Sequence, residues 1–141
     1  GNRETDKFAG YILKAEARPT AEIKYHKETA PGVRYVLIDG KKKPEAEFYT
    51  VVRTVSGVNP TQPGYVERHT HNCDTYHMAI GKGPELTGLK IEFVIGDEKV
   101  VVESPLGVHI PAGVPHSQRM VEGSGHFFNF VPKANYNDSL M

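Results

Sequence analysis

The sequence is short of sulfur, of net charge and of long apolar runs, and each shortage closes off a class of protein. A single cysteine, Cys73, has no partner within the chain, so a disulfide scaffold is excluded and a reducing compartment is expected. Seventeen basic and seventeen acidic side chains cancel, which leaves no basic stripe of the kind that displaces counterions from a nucleic-acid backbone. No window approaches the run of about 18 apolar residues that a membrane helix requires. The charged start GNRETDK also lacks the apolar centre of a signal segment. Neither nucleic acid nor membrane is expected as a partner, and a soluble cytoplasmic protein is the resulting expectation. Nor does the sequence contain an internal repeat, so its 141 residues are expected to form one domain.

What is present is punctuation. Fourteen glycines and ten prolines interrupt the chain at intervals of about 8 to 12 residues, the rhythm of many short strands. Nine segments between them favour β-branched and aromatic residues: 33–39, 47–55, 64–71, 75–81, 89–96, 98–104, 107–111, 116–122 and 126–132. FVIGDEKVVV signals a hairpin, with Gly96 and Asp97 at a turn that needs positive φ. An all-β sandwich or small closed barrel follows. Residues 1–46 are expected to form an N-terminal arm with an extra strand, including a short helix capped by Thr5. The barrel is expected over 47–132, and the unpatterned KANYNDSLM over 133–141 reads as a loose tail.

The chemistry concentrates in HTHNCDTYH, residues 69 to 77. Alternate side chains of a strand share a face, so His69 and His71 can close on one ion together, with Glu67 and Tyr65 in phase with them. A third ligand has to come from another strand, because donors to a metal converge from several directions. His116 is suited to this. It ends PAGVPH, where Pro111, Gly113 and Pro115 set a rigid turn before the next strand.

These residues resemble the cupins, whose first motif runs Gly, five residues, His-x-His, three or four residues, Glu, six residues, Gly. Here it reads Gly64, four residues, His69, Thr70, His71, four residues, Tyr76, six residues, Gly83. The second motif, Gly, five residues, Pro-x-Gly, two residues, His, three residues, Asn, is met by Pro111, Gly113 and His116. Pro105 occupies the glycine place and Met120 the asparagine place. The resemblance spans about residues 47 to 132. It implies a jelly-roll, or double-stranded β-helix, barrel, often dimeric. Its mouth would hold one divalent transition metal, Fe, Zn, Ni or Mn, on His69, His71 and His116. Tyr76 stands where the family carries its glutamate and is expected to face the site as a hydrogen-bonding group, since a phenol binds such metals less readily than a carboxylate. A three-histidine centre of this kind resembles the iron cupins that oxygenate thiols or diketones.

Other residues carry alternatives. Glu67 is either a replacement ligand or general base, or a residue of the barrel rim. His77 is expected on the outer face, and Asp74 outside the inward positions unless a bulge turns it. Cys73 is read as a bystander thiol. Arg53 clamps a substrate carboxylate if Tyr49, Val51 and Val55 face inward, and is otherwise solvated, the expected case. Gln118 and Asn129 are candidate pocket donors, while His26, His109 and His126 have no spacing that singles them out. The expected function is a metal-dependent enzyme, oxygenase-like or isomerase-like, acting as a homodimer on a small oxygen-rich or carboxylate molecule. The dimer is expected to form through the strands before Glu47, because VRYVLI is a hydrophobic, β-prone segment outside the barrel motif that offers an unpaired edge. The alternative is a non-catalytic binding or sensor module for a sugar or carboxylate.

Overall fold

A computed structural model of the chain describes residues 10–27, 30–60, 64 and 66–141. The start of the helix expected over residues 5–17 and the placement of Tyr65 lie outside them; the described part of that segment, residues 10–17, is not helical and ends in a short strand, Glu16–Ala17. Eight strands are present among the described residues: β1 Glu16–Ala17, β2 Val33–Ile38, β3 Tyr49–Val58, β4 Thr75–Gly81, β5 Leu89–Ile95, β6 Glu98–Glu103, β7 Leu106–Ile110 and β8 His116–Val131. All pairings are antiparallel. The strands run in the order β1-β2-β3-β8-β4-β7, with β5 joining β8 to β6.

Two expected strands fuse and one dissolves. Segments 116–122 and 126–132 form the single strand β8, whose first half pairs with β5 and whose second half pairs with β3 and β4. The strand changes partners at a corner built on Gly123. Its φ is 97°, and an added Cβ would lie 1.8 Å from the Gly88 carbonyl oxygen, so only glycine fits. Segment 64–71 forms no named strand. It is held by isolated bridges, His69 to His116 and His71 to Leu140, and these still leave both histidines buried on one side. The hairpin is as expected, with Ile95 opposite Glu98 and Gly96 at a φ of 59°.

Inward residues of β3, β4 and β8 change character along the strands. Val55, Ala79, Met120 and Phe127 join Leu89, Ile91 and Phe93 in one apolar cluster. The adjoining inward positions are polar: Arg53, His77, Gln118 and Asn129, all buried. A second apolar cluster, with Ile23, Val36, Tyr49, Val51, Val131 and Tyr136, covers the side formed by the N-terminal segment and the C-terminus. Residues 135–141, expected to be loose, are therefore part of the fold. Tyr136 and Ser139 are buried, and the Met141 amide donates to the Thr70 carbonyl. The segment β2, expected to offer an unpaired edge, is paired to β3 along its length and to β1 at Tyr35 and Val36.

Candidate metal centre

His69, His71 and His116 come together as their spacing suggests, buried and with one ring nitrogen each within 4.8 Å of the others. Each ring is held from behind. His69 Nδ1 donates to the Glu67 carbonyl at 2.7 Å, and His116 Nδ1 donates to the Val114 carbonyl at 3.0 Å. His71 Nδ1 lies 2.7 Å from Ser139 Oγ. That hydroxyl spends its proton on the Tyr136 carbonyl at 2.6 Å, so the imidazole is the donor here too. With all three Nδ1 atoms protonated, all three neutral Nε2 atoms present lone pairs.

Those lone pairs converge. His69 Nε2 and His71 Nε2 are 3.1 Å apart, an acceptor facing an acceptor, and His116 Nε2 is buried with no hydrogen-bond partner. Tyr136 Oη is 3.0 Å from His69 Nε2 and 3.4 Å from His71 Nε2, but one hydroxyl proton satisfies one acceptor. His26 adds a fourth imidazole. Its Nδ1 donates to the Lys24 carbonyl and its Nε2 lies 3.5 Å from Tyr136 Oη. Such a surplus of lone pairs fits a cation. A separation near 3 Å is that of neighbouring imidazole nitrogens each about 2.1 Å from one ion. The three-histidine cluster fits one divalent transition metal, and the carbonyls and hydroxyl behind the rings are the outer contacts that such ligands use to fix their tautomer.

Burial keeps these imidazoles neutral. Desolvation lowers His71 and His26 to about 3 and His116 to about 4. It also lowers His69, against the hydrogen bond to Glu67, which acts the other way. Neutral rings are the form that binds a metal.

Among the remaining candidates, Tyr76, His77 and Arg53 are placed differently from expectation. Tyr76 is on the outer face of β4, 38% exposed, stacked on His109 at 5.1 Å. His77 is instead inward and 2% exposed. The reason is phase: β4 begins at Thr75, so Thr75, His77 and Ala79 face in while Tyr76 and Met78 face out. With three rather than four residues after His71, Thr75 takes the inward place, its Oγ1 buried and unpartnered. The Glu67 side chain is exposed, and the contact this residue makes with the site is its carbonyl. Asp74 accepts from His109 Nε2 at 2.8 Å and from the Ala112 amide, on the surface. Cys73 packs against the second apolar cluster, and burial raises its thiol pKa, as suits a bystander. Arg53 is inward and 5% exposed, with Tyr49, Val51 and Val55, rather than solvated. Gln118 and Asn129 face inward with buried, unpartnered oxygens.

Three contributors were not legible in the motifs. Tyr136 and Ser139 come from the presumed tail, and His26 comes from the arm.

Neither a family model nor a curated protein matches this sequence. Solved structures match it in fold. Hydroxypropylphosphonic acid epoxidase from S. wedmorenis is 14% identical with a TM-score of 0.53, the match covering 86% of this chain and 59% of that one. Bacillus subtilis oxalate decarboxylase, solved in a study of its Mn(II) centres, is 17% identical with a TM-score of 0.54, covering 91% and 30%. The polyketide cyclase RemF from Streptomyces resistomycificus is 20% identical with a TM-score of 0.52, covering 85% and 73%. The chain spans less than two thirds of the epoxidase and under a third of the decarboxylase. These neighbours are cupin-fold proteins, and the architecture of this chain is an all-β cupin barrel. No helix among the described residues is long and apolar enough to cross a membrane.

Proposed function

We propose that the protein is a metal-dependent enzyme in which His69, His71 and His116 hold one divalent transition metal through Nε2, and that it acts on a small oxygen-rich or carboxylate molecule. The observation that carries this is the convergence of three buried Nε2 lone pairs whose partner Nδ1 atoms are committed to Glu67, Ser139 and Val114. Three neutral ligands leave the ion's charge uncompensated and its other positions open, which favours an anionic or chelating oxygen ligand. Bound there, the metal supplies Lewis acidity, and as Fe(II) it also supplies oxygen activation. Fold neighbours solved with Fe(II) and with Mn(II) support an ion of this kind.

The chain's own groups set the conditions. The carbonyls of Glu67 and Val114 and the Ser139 hydroxyl aim the imidazoles. Tyr136 Oη lies 3.0 Å from His69 Nε2, where its proton would be available to an oxygen ligand of the centre. The apolar cluster around Tyr49 and Val51 limits water. A second reading, a binding module without turnover, draws on the same Tyr136, because the C-terminal segment closes one side of the site.

Elemental analysis of protein purified without added metal, followed by oxygen-consumption and isomerisation assays with thiols, diketones and hydroxy acids, tests both readings. One equivalent of metal with turnover supports the enzyme. Metal with saturable ligand binding and no turnover supports the module, and absence of metal under every loading condition overturns both. A homodimer is part of the proposal. Its support is β6, an edge strand that pairs with β5 and exposes Val100, Val101 and Val102, the kind of edge that adds strands across a subunit contact. Sedimentation as a monomer at micromolar concentration would remove it.

A further inference from the structure

The inward face of β4 and β8 carries buried polar groups that the three-histidine centre leaves unused. Gln118 and Asn129 are both buried, and Gln118 Oε1 and Asn129 Oδ1 lack hydrogen-bond partners. Amide oxygens can only accept. A buried acceptor left unpaired is costly, so two of them on one wall describe a missing guest that brings protons. An ionised carboxylate has none to bring.

Gln118 and Asn129 line one cavity, together with Arg34, Arg53 and Phe127. Its volume is about 30 Å³, and a buried water needs about 10–15 Å³, so the space takes about two water-sized groups. The lining holds two guanidinium groups and no carboxylate, which disfavours a cationic donor such as an ammonium group. One uncharged hydroxyl and one water meet the size, the charge and the need for protons at two oxygens.

The unsatisfied groups continue from the cavity to the metal centre. Gln118 is two residues from His116 on the same inward face of β8. Asn129 is the register partner of His77. The His77 ring is 2% exposed, with both nitrogens unpartnered, and its centroid lies 6.1 Å from that of His116. Phe127, stacked on His77 at 5.3 Å, bounds the strip on its apolar side.

We propose that this cavity is a hydroxyl subsite of the three-histidine centre. The molecule bound at the centre carries a free hydroxyl beside its metal-binding oxygens, as a small hydroxy ketone or polyol does. That hydroxyl enters the cavity, where it and one retained water donate to Gln118 Oε1 and Asn129 Oδ1. The inference rests on the metal reading, which supplies the anchor for the other end of the molecule, and it narrows the oxygen-rich class of ligand to those with a hydroxyl donor.

Dihydroxyacetone and 1-hydroxy-2-butanone test the proposal. Both present the same hydroxy-ketone chelate, and they differ only in a hydroxyl against a methyl group of similar size at the far end. In titrations of the Co(II)-loaded protein, followed by the cobalt absorption bands and by calorimetry, dihydroxyacetone is expected to bind about tenfold more tightly or better. Gln118→Met and Asn129→Leu replace an acceptor with an apolar group of similar size, and each is expected to lose most of that preference while keeping one equivalent of metal. A preference set by shape alone would persist in both variants and would overturn the subsite. So would failure of dihydroxyacetone to bind, or equal affinity for the two ketones in the wild type, a comparison that stands even where a variant fails to fold. Equal affinities in protein that holds one equivalent of Co(II) remove the subsite and leave the metal reading intact, whereas absence of Co(II) uptake overturns both.

Discussion

Tyr136 Oη, from the last six residues of the chain, lies 3.0 Å from Nε2 of His69, 67 positions earlier. The phenol is 3% exposed and packs edge-on to the His71 ring at 5.2 Å. It can donate to an imidazole, or to an oxygen that displaces it from one. Tyr136→Phe should therefore retain metal, because three imidazoles remain, and should change the affinity of added azide for the Co(II)-substituted protein by about tenfold or more, the scale of one hydrogen bond to a charged group. An unchanged azide titration would place Tyr136 in packing alone.

Ser139 fixes the His71 tautomer from behind. Loss of such an outer contact typically lowers metal affinity about 10- to 100-fold. Ser139→Ala is expected to show this in competition with a chelator, with secondary structure intact by circular dichroism. His71→Ala, which removes the ligand itself, should abolish stoichiometric metal. Wild-type affinity in Ser139→Ala would sever the C-terminus from the centre.

Tyr76 provides the negative control. It lies on the outer face against His109, so Tyr76→Phe should alter neither metal content nor ligand affinity. A loss of either would require β4 to be rotated by one residue.

The buried imidazoles make the metal-free protein acid-sensitive. The unfolded chain protonates its histidines near 6.5, whereas folded His116 resists to about 4 and His71 and His26 to about 3. Below pH 6.5 the unfolded state thus binds protons that the folded state refuses. Stability is complete above that pH and falls as the pH drops toward 4 and then 3, by at most about 1.4 kcal/mol per pH unit for each group. Thermal midpoints at pH 7.5, 6 and 5 should decline in that order. Bound metal should be released over the acid side of the same range, since protons compete for Nε2. A midpoint that is flat or rises on acidification would contradict neutral burial.

Gly123→Ala attacks the corner of β8. The methyl would meet the Gly88 carbonyl at 1.8 Å, at a φ of 97°. A loss of about 3 kcal/mol or more is expected from the clash and the backbone strain together, read as a lowered urea midpoint. A change under about 0.5 kcal/mol would show that the corner relaxes freely.

Local pattern was enough to reveal most strands and the three histidines. His69 and His71 share a face because an extended backbone alternates its side chains, whatever the sheet around it. PAGVPH restricts its own backbone, so His116 begins a strand by local chemistry. The phase of β4 was a different matter. Tyr76 and His77 are adjacent, and which one turns inward depends on where the strand starts after the loop 72–74. Pairing with β7 and β8 decides that, and no local preference does.

The remaining parts of the site depend on longer separations. Glycine at 123 reads locally as a break between two strands. Only the partners on either side make it a corner within one. Arg34 faces Arg53 because β2 and β3 pair in that register, and a sequence scan sees merely two basic residues in two strands. Tyr136 and Ser139 have no periodicity around them, because a segment that reaches its place through a few side-chain hydrogen bonds needs none. Local pattern alone carries the β architecture and the three-histidine cluster. The tertiary structure decided which polar groups meet them, since side chains far apart in the chain converge only through strand register and packing.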